Sequence, residues 1–317
     1  MLPNFSADSL DDVMRDIFQA IDAHGVQNRP TKGPNRELIG AHFRLSNPLA
    51  RLSRTEGRGK IFSCLGEFCW YLAGRNDADF ISYYIPEYLK LAEDGSLYGG
   101  YGPRLHCWKG QNQINNILAL LRGKPDSRRA VIQLFDAVDI SVDHKDVPCT
   151  CTLQFMVRDN ALHMVASMRS NDAYIGLPHD VFCFTMLQEM VARTLSVNLG
   201  LYCHAAGSLH LYDKDDAAAK RFLKEGWQST TSMPEMPCCD PAPAITRLLE
   251  AEESVRSGNT SINDLGDWEA YWADLARLLL IFRLAKNKDI AGVARVRSEM
   301  VSQVYNVFID ARLQNLA

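Results

Sequence analysis

The chain has 317 residues, 47% of them hydrophobic and 23% charged, which is enough apolar material for a full core and too much for bulk disorder. A formal charge of −4 argues against a general nucleic-acid binder, which needs a net basic face to displace counterions from phosphates. No run approaches the roughly 20 apolar residues of a membrane span, and nine cysteines without a CxxC pair suit neither a disulfide framework nor a zinc ribbon.

The expectation is a reduced, cytoplasmic α/β protein with no membrane contact, in which any anionic ligand is held by a local cluster of arginines. In chain order, Ser9 with Asp12 resembles a capping pair. Leu10, Val13, Met14, Ile17 and Ile21 then recur at helical spacing up to Gly25. Residues 27–36 are polar, and their Pro and Gly forbid a regular element, leaving a loop that could order around an anion. Residues 61–72 and 78–91 are expected to be helices, 95–104 a flexible loop with two tyrosines, and 111–121 a third helix.

Strands are expected over 129–135, 151–157 and 161–168, with Asp159-Asn160 as the hairpin turn between the last two. A long apolar helix over 180–195 precedes a strand over 200–209. From Pro241 the pattern changes to helices rich in Leu, Ala, Arg and Glu, including 268–284 and 290–311. This divides the chain into an α/β body, 1–240, and a helical C-terminal extension, 241–317, packed on it.

Chemistry concentrates in two places. Pro148-Cys149-Thr150-Cys151 sets a thiol at the mouth of a strand, with the second cysteine two residues on and hence on the same face, so either could be an exposed nucleophile. Downstream lies Arg169-Ser170-Asn171-Asp172, followed by Gly176-Leu177-Pro178-His179-Asp180. Read alone, Asp180 is a helix cap, Glu67 a solvated carboxylate and Arg128-Arg129 a surface pair.

Read together, in order from residue 29 to about 215, these pieces resemble the thymidylate synthase family. They are Arg29, Glu67 with Trp70, a Tyr-Gly loop, Ser127-Arg128-Arg129, Pro148-Cys149 with Gln154-Phe155, Arg169-Ser170 with Asp172, Gly176-Leu177-Pro178, and Gly207 with His210 and Tyr212. The resemblance implies a mixed β-sheet flanked by helices, a homodimer, and 5,10-methylenetetrahydrofolate as one-carbon donor. It selects Cys149 as the thiolate that adds to C6 of a pyrimidine and Glu67 as the general acid/base. It also implies phosphate binding by Arg29, Arg169 and Ser170, with Arg128 and Arg129 completing the partner subunit's site. Arg36 competes with Arg29 for that role. His210 and Tyr212 would hold the sugar hydroxyl, Tyr101 would be the loop tyrosine at the substrate, and Asp172 and Gly176 would face the folate.

One departure points to the substrate. Thymidylate synthases carry Asn where this sequence has Asp180, and Asp there is the mark of their cytidylate hydroxymethylase relatives. A carboxylate accepts from the N4 amine of cytosine, whereas facing uracil O4 it sets acceptor against acceptor. The resemblance thus implies 5-hydroxymethylation of a cytosine 5′-monophosphate, dCMP or CMP, by addition of water to an exocyclic methylene. The alternatives are a divergent thymidylate synthase acting on dUMP and an inactive nucleotide-binding relative. His179, where the family often has Phe, is a second departure and could add a polar group near the methylene.

Overall fold

The first helix, α1 (Leu10–His24), forms as its spacing requires. The Ser9 side chain accepts from the Asp12 N–H, and Leu10, Val13, Met14, Ile17, Phe18 and Ile21 are buried, each contributing roughly 1.5–3 kcal/mol. The computed structural model describes residues 3–53, 60–225, 231–262 and 265–316. Within them a seven-stranded mixed sheet is built from β1 (Asn4–Ala7), β2 (Val26–Asn28), β3 (Asn35–Leu45), β4 (Val131–Gln133), β5 (Thr150–Arg158), β6 (Ala161–Asp172) and β7 (Asn198–Tyr212). The order is β1-β3-β7-β6-β5-β4, with β2 also on β3. The β1–β3 and β6–β7 pairs are parallel and the others antiparallel.

The β5–β6 hairpin turns at Asp159 and Asn160, both at positive φ (48° and 57°), as the sequence suggests. One face of the sheet is buried under helices, chiefly α1 and α6 (Gly176–Thr194). Alternate residues on the other face are half-buried or exposed, Ile39 at 67%. Near the C-terminal end of β6 the alternation of buried positions shifts by one. There a Cβ on Gly207 would lie 2.9 Å from the Arg169 carbonyl oxygen, so β7 needs glycine to pass that close.

Several boundaries differ from the sequence reading, each for a local reason. Strand β2 and the start of β3 occupy the ends of 27–36, confining the irregular part to the turn closed by the Gly33 N–H on the Pro30 carbonyl (3.0 Å). Pro86 disfavours helix at Ile85, so 78–91 splits into α3 (Ala78–Tyr84) and a 3-10 turn, Pro86–Leu91. The expected loop over 95–104 becomes helix at α4 (Tyr101–His106). Its Arg104 is buried against Asp139 (2.9 Å) and the Leu134 carbonyl (2.7 Å). Helix α6 begins at Gly176 and not at Asp180, because the Asp172 carboxylate caps the preceding turn, accepting from the Tyr174 and Ile175 N–H groups (2.8 and 3.2 Å).

Helices α2 (Ile61–Leu72) and α5 (Gln113–Gly123) lie where expected, and α7 (Asp216–Lys224) follows the sheet. The tail forms α8 (Ala242–Arg256), α9 (Ala270–Lys286), α10 (Ile290–Ser298) and α11 (Asn306–Gln314). The single helix expected over 290–311 breaks because the buried Asp274 carboxylate takes the Val301 and Ser302 N–H groups (3.0 and 2.8 Å). Both α8 and α9 pack on α2, and the Tyr84 hydroxyl donates to Glu252 (2.8 Å). Among the described residues, no helix is long and apolar enough to cross a membrane.

Candidate active site

Cys149 sits where the chain enters β5, held from below by Arg169 on β6. The Arg169 guanidinium donates to the Pro148 and Val147 carbonyls (2.9 Å each) and stands 3.8 Å from the Cys149 sulfur, while the Arg169 N–H bonds the Cys149 carbonyl (2.8 Å). Partial burial pushes the thiol above its ordinary range. Arg169 first, then Lys32, pull it back by favouring the thiolate. The pairing of β5 with β6 slips between Thr150 and Thr152, at Cys151, so the simple alternation that puts both thiols on one face does not apply there. Tyr101 anchors the next residue, its hydroxyl meeting the Thr150 hydroxyl (2.9 Å) and accepting the Thr150 N–H (3.1 Å).

Glu67 projects from α2 and is 4% exposed. It is far from the solvated carboxylate of the isolated reading. Its Oε1 accepts from the hydroxyls of Tyr71 (3.0 Å), one helical turn on, and Tyr88 (2.8 Å), supplied by the 3-10 turn. Burial raises its pKa to about 7, against the two tyrosine hydrogen bonds that favour the anion. A carboxyl poised there can hold or release a proton near neutrality.

Asp180 lies in the second turn of α6, which removes the helix-cap reading. One oxygen, Oδ2, accepts from the Asn171 side-chain amide (2.7 Å). Burial raises its pKa well above the usual carboxylate range, Glu67 and Asp172 push the same way, and Asn171 opposes them. Its charge in turn acts on Cys149, so thiol, Glu67 and Asp180 share one neighbourhood.

At the C-terminal end of β7, His210 and Tyr212 pack edge to face with ring centroids 4.9 Å apart. Burial lowers the His210 pKa, while Asp172 and Glu37 act in the opposite direction. Ser170 pairs with Ser208 across β6–β7, and Ser208 donates to Glu37 on β3. Gly176 opens α6 beside Asn171, Asp172 and Asp180, where a Cβ would meet all three at 3.4–3.7 Å. Arg128 and Arg129 are exposed at the start of β4, and Arg29 is exposed just after β2. Arg36 is bound to Asp22 and Asp216.

Sequence reasoning gave no role to Lys32, although it lies in the loop marked for anions and its charge reaches Cys149, Asp146 and His210. Asp146, three residues before the thiol, was also passed over. Burial raises the pKa of its carboxyl, and a Cβ added at Gly99 would come within 2.6 Å of that carboxyl. Tyr88 carried no motif. His179, expected near the methylene, instead spends both ring nitrogens inside the fold, on Ser63 Oγ and the Ile175 carbonyl (2.9 Å each).

The family model for thymidylate synthase matches residues 11–243. A protein named deoxyuridylate hydroxymethyltransferase from Bacillus phage SP01 is 29% identical over 231 residues, covering 68% of this chain and 60% of that protein. One of the same name from Pseudomonas phage M6 is 32% identical over 157 residues, 48% of this chain and 45% of its own. The thymidylate synthase of Buchnera aphidicola subsp. Baizongia pistaciae (strain Bp) is 29% identical over 193 residues, 58% of this chain and 72% of its own. The matched segments thus span about half to 60% of the two phage relatives. With the family match running from α1 to the start of α8 through every element that carries the site, the chain belongs to the thymidylate synthase family.

Proposed function

We propose that this protein is a folate-dependent hydroxymethyltransferase acting on a cytosine 5′-monophosphate, dCMP before CMP. The observation that carries the choice of base is the Asp180 carboxyl, set in the second turn of α6 with Asn171 hydrogen-bonded to one of its oxygens, and near enough to Glu67 and Cys149 for their charges to act on one another. Asn171 occupies its Oδ2, and Oδ1 has no hydrogen bond among the described residues, so one acceptor is left for an exocyclic amine. A uracil O4 in that place opposes acceptor to acceptor, at a cost on the order of 1–3 kcal/mol when buried.

In this reading Arg29 and Arg169, with Ser170, bind the phosphate as permanently charged planar donors. Cys149, its thiolate favoured by Arg169, adds to C6 and makes C5 nucleophilic. Asp172 and Gly176, close together where α6 begins, would face the pterin, and methylenetetrahydrofolate bound there would supply the one-carbon unit. Loss of the C5 proton and of tetrahydrofolate leaves an exocyclic methylene, Glu67 takes the proton of the water that adds to it, and the Cys149 thiolate is then released from C6. His210 and Tyr212 hold the sugar hydroxyl, and Tyr101 fixes the Cys149–Thr150 segment. Arg128 and Arg129 reach a second subunit's phosphate, in a homodimer that covers the open face of the sheet around Ile39. Residues 241–317 act as a helical extension of the catalytic body.

The names of the phage relatives favour dUMP as the competing substrate. Incubation with methylenetetrahydrofolate and dCMP, CMP or dUMP, followed by mass analysis of the product, decides between them. A product 30 mass units heavier than dCMP or CMP is expected, the mass added by a hydroxymethyl group in place of hydrogen (about 30 Da). Turnover of dUMP alone refutes the cytosine reading. In Asp180→Asn, preference moves toward dUMP by about tenfold to over a hundredfold.

A further inference from the structure

Asn171 is the one side chain that hydrogen-bonds Asp180 among the described residues, and the reading above gives it no role. It lies on β6, is 3% exposed, and donates from Nδ2 to Asp180 Oδ2 at 2.7 Å. The orientation of the amide follows from chemistry, since a carboxylate oxygen can only accept. Its other end is anomalous: Asn171 Oδ1 is buried with no hydrogen-bond partner among the described residues. A buried amide left half satisfied is costly, and an apolar residue of similar shape would fill the same space without that cost. What the amide supplies in return is the bond to Asp180.

We propose that Asn171 is a positioning residue for base choice: its side-chain amide commits one oxygen of Asp180 and keeps the other an acceptor, so that the site takes the pyrimidine bearing an exocyclic amine. The proposal rests on the base-reading role given above to Asp180. With Oδ2 engaged, Oδ1 is the atom left to meet the base. As a carboxylate oxygen it accepts from N4–H of cytosine. Carrying a proton it becomes a donor, the counterpart of the amide that thymidylate synthases place there, and suits O4 of uracil.

Everything else packed around Asp180 favours the protonated form. Burial acts first, then Glu67 on α2 and Asp172 at the end of β6. Its charge is also felt by Cys149 before β5, Tyr101 on α4, Cys183 on α6 and Tyr202 on β7, and none of these is a cation. Asn171 is the single opposing influence.

The sign follows. As pH rises through the pKa of the Asp180 carboxyl, the ratio of kcat/KM for dCMP to that for dUMP increases. Taking the ratio cancels Glu67 and Cys149, which serve both substrates. Asn171→Leu removes the amide at similar volume, so the midpoint of that ratio moves to higher pH by about one unit, and at neutral pH the ratio falls about tenfold. Asn171→Ala, which leaves room for water, moves it the same way by less. An unchanged ratio and midpoint in either folded variant overturns the proposal. Asp180→Asn separates the two levels of the argument. If it fails to move preference toward dUMP, the base-reading assignment itself falls. If it succeeds while the Asn171 variants match the unmodified protein, only the role of Asn171 falls.

Discussion

Removing one hydroxyl, in Tyr88→Phe, tests whether Glu67 is the proton carrier near neutrality. The Tyr88 O–H donates to Glu67 at 2.8 Å, and its ring packs 5.9 Å from that of Trp70, a contact that phenylalanine keeps. A hydrogen bond to a charged group is worth about 1.5–3 kcal/mol, so its loss lifts the Glu67 pKa by roughly one to two units. From about 7 in the intact site, the midpoint moves to about 8–9, and the ionised fraction at pH 7 drops from about half to a tenth or less. If the carboxylate takes the proton of the attacking water, turnover in the unmodified protein climbs with pH through about 7. In Tyr88→Phe it is then about five- to fiftyfold lower at pH 7 and recovers in alkali. Measuring kcat against pH on saturating nucleotide is sufficient. A midpoint that stays in place, or a loss that alkali does not restore, refutes the assignment of the limb to Glu67.

Glu67→Gln should abolish turnover and stabilise the fold. The folded carboxyl titrates at about 7 against 4.5 for its ordinary value, so its cost to stability is absent below about 4.5, grows as pH rises to about 7, and levels near 3 kcal/mol. Denaturant unfolding at pH 8 should show a gain of that order over the unmodified chain, and none at pH 4. Cys149→Ser is expected to bind nucleotide by calorimetry without turning it over, and full activity would remove the nucleophile. Arg169→Lys gives up the paired bonds to Pro148 and Val147, so thiol alkylation by iodoacetamide should shift to higher pH and nucleotide affinity should weaken. Mixing inactive Cys149→Ser with inactive Arg128→Ala/Arg129→Ala should restore up to about a quarter of activity through mixed dimers, the statistical share of intact sites. No recovery after subunit exchange excludes a shared site.

The strand that Cys149 enters and the strand beside it were legible because local rules fix them, whereas the choice of Cys149 over Cys151 and of the arginines came from the resemblance alone. Pro148-Cys149 enters a strand, and Arg169 recurs on the neighbouring one. The hairpin at Asp159-Asn160 and the first helix with its Ser9 cap were legible for the same reason. What the sequence hid were the long-range partners. Tyr88 reaches Glu67 only because Pro86 breaks a helical pattern, and Asn171 meets Asp180 only because α6 starts a turn early under the Asp172 cap. The break after Ser298 was equally invisible, since it depends on a carboxylate 27 and 28 residues away in the chain. Tertiary hydrogen bonds of this kind override periodicity without marking it.

The contact of α8 and α9 with α2 gives the tail a mechanical bearing on chemistry. The helix that carries Glu67 is pressed from behind by Tyr84 and its Glu252 partner, and a Cβ on Gly66 would run into the Tyr84 ring at 2.2 Å. Loosening that brace, for instance by an apolar substitution at Glu252, lets the acid's own helix drift, and sub-ångström drift is enough to spoil proton transfer. The proposed activity is thus answerable to a helical tail that supplies none of the side chains assigned to the site.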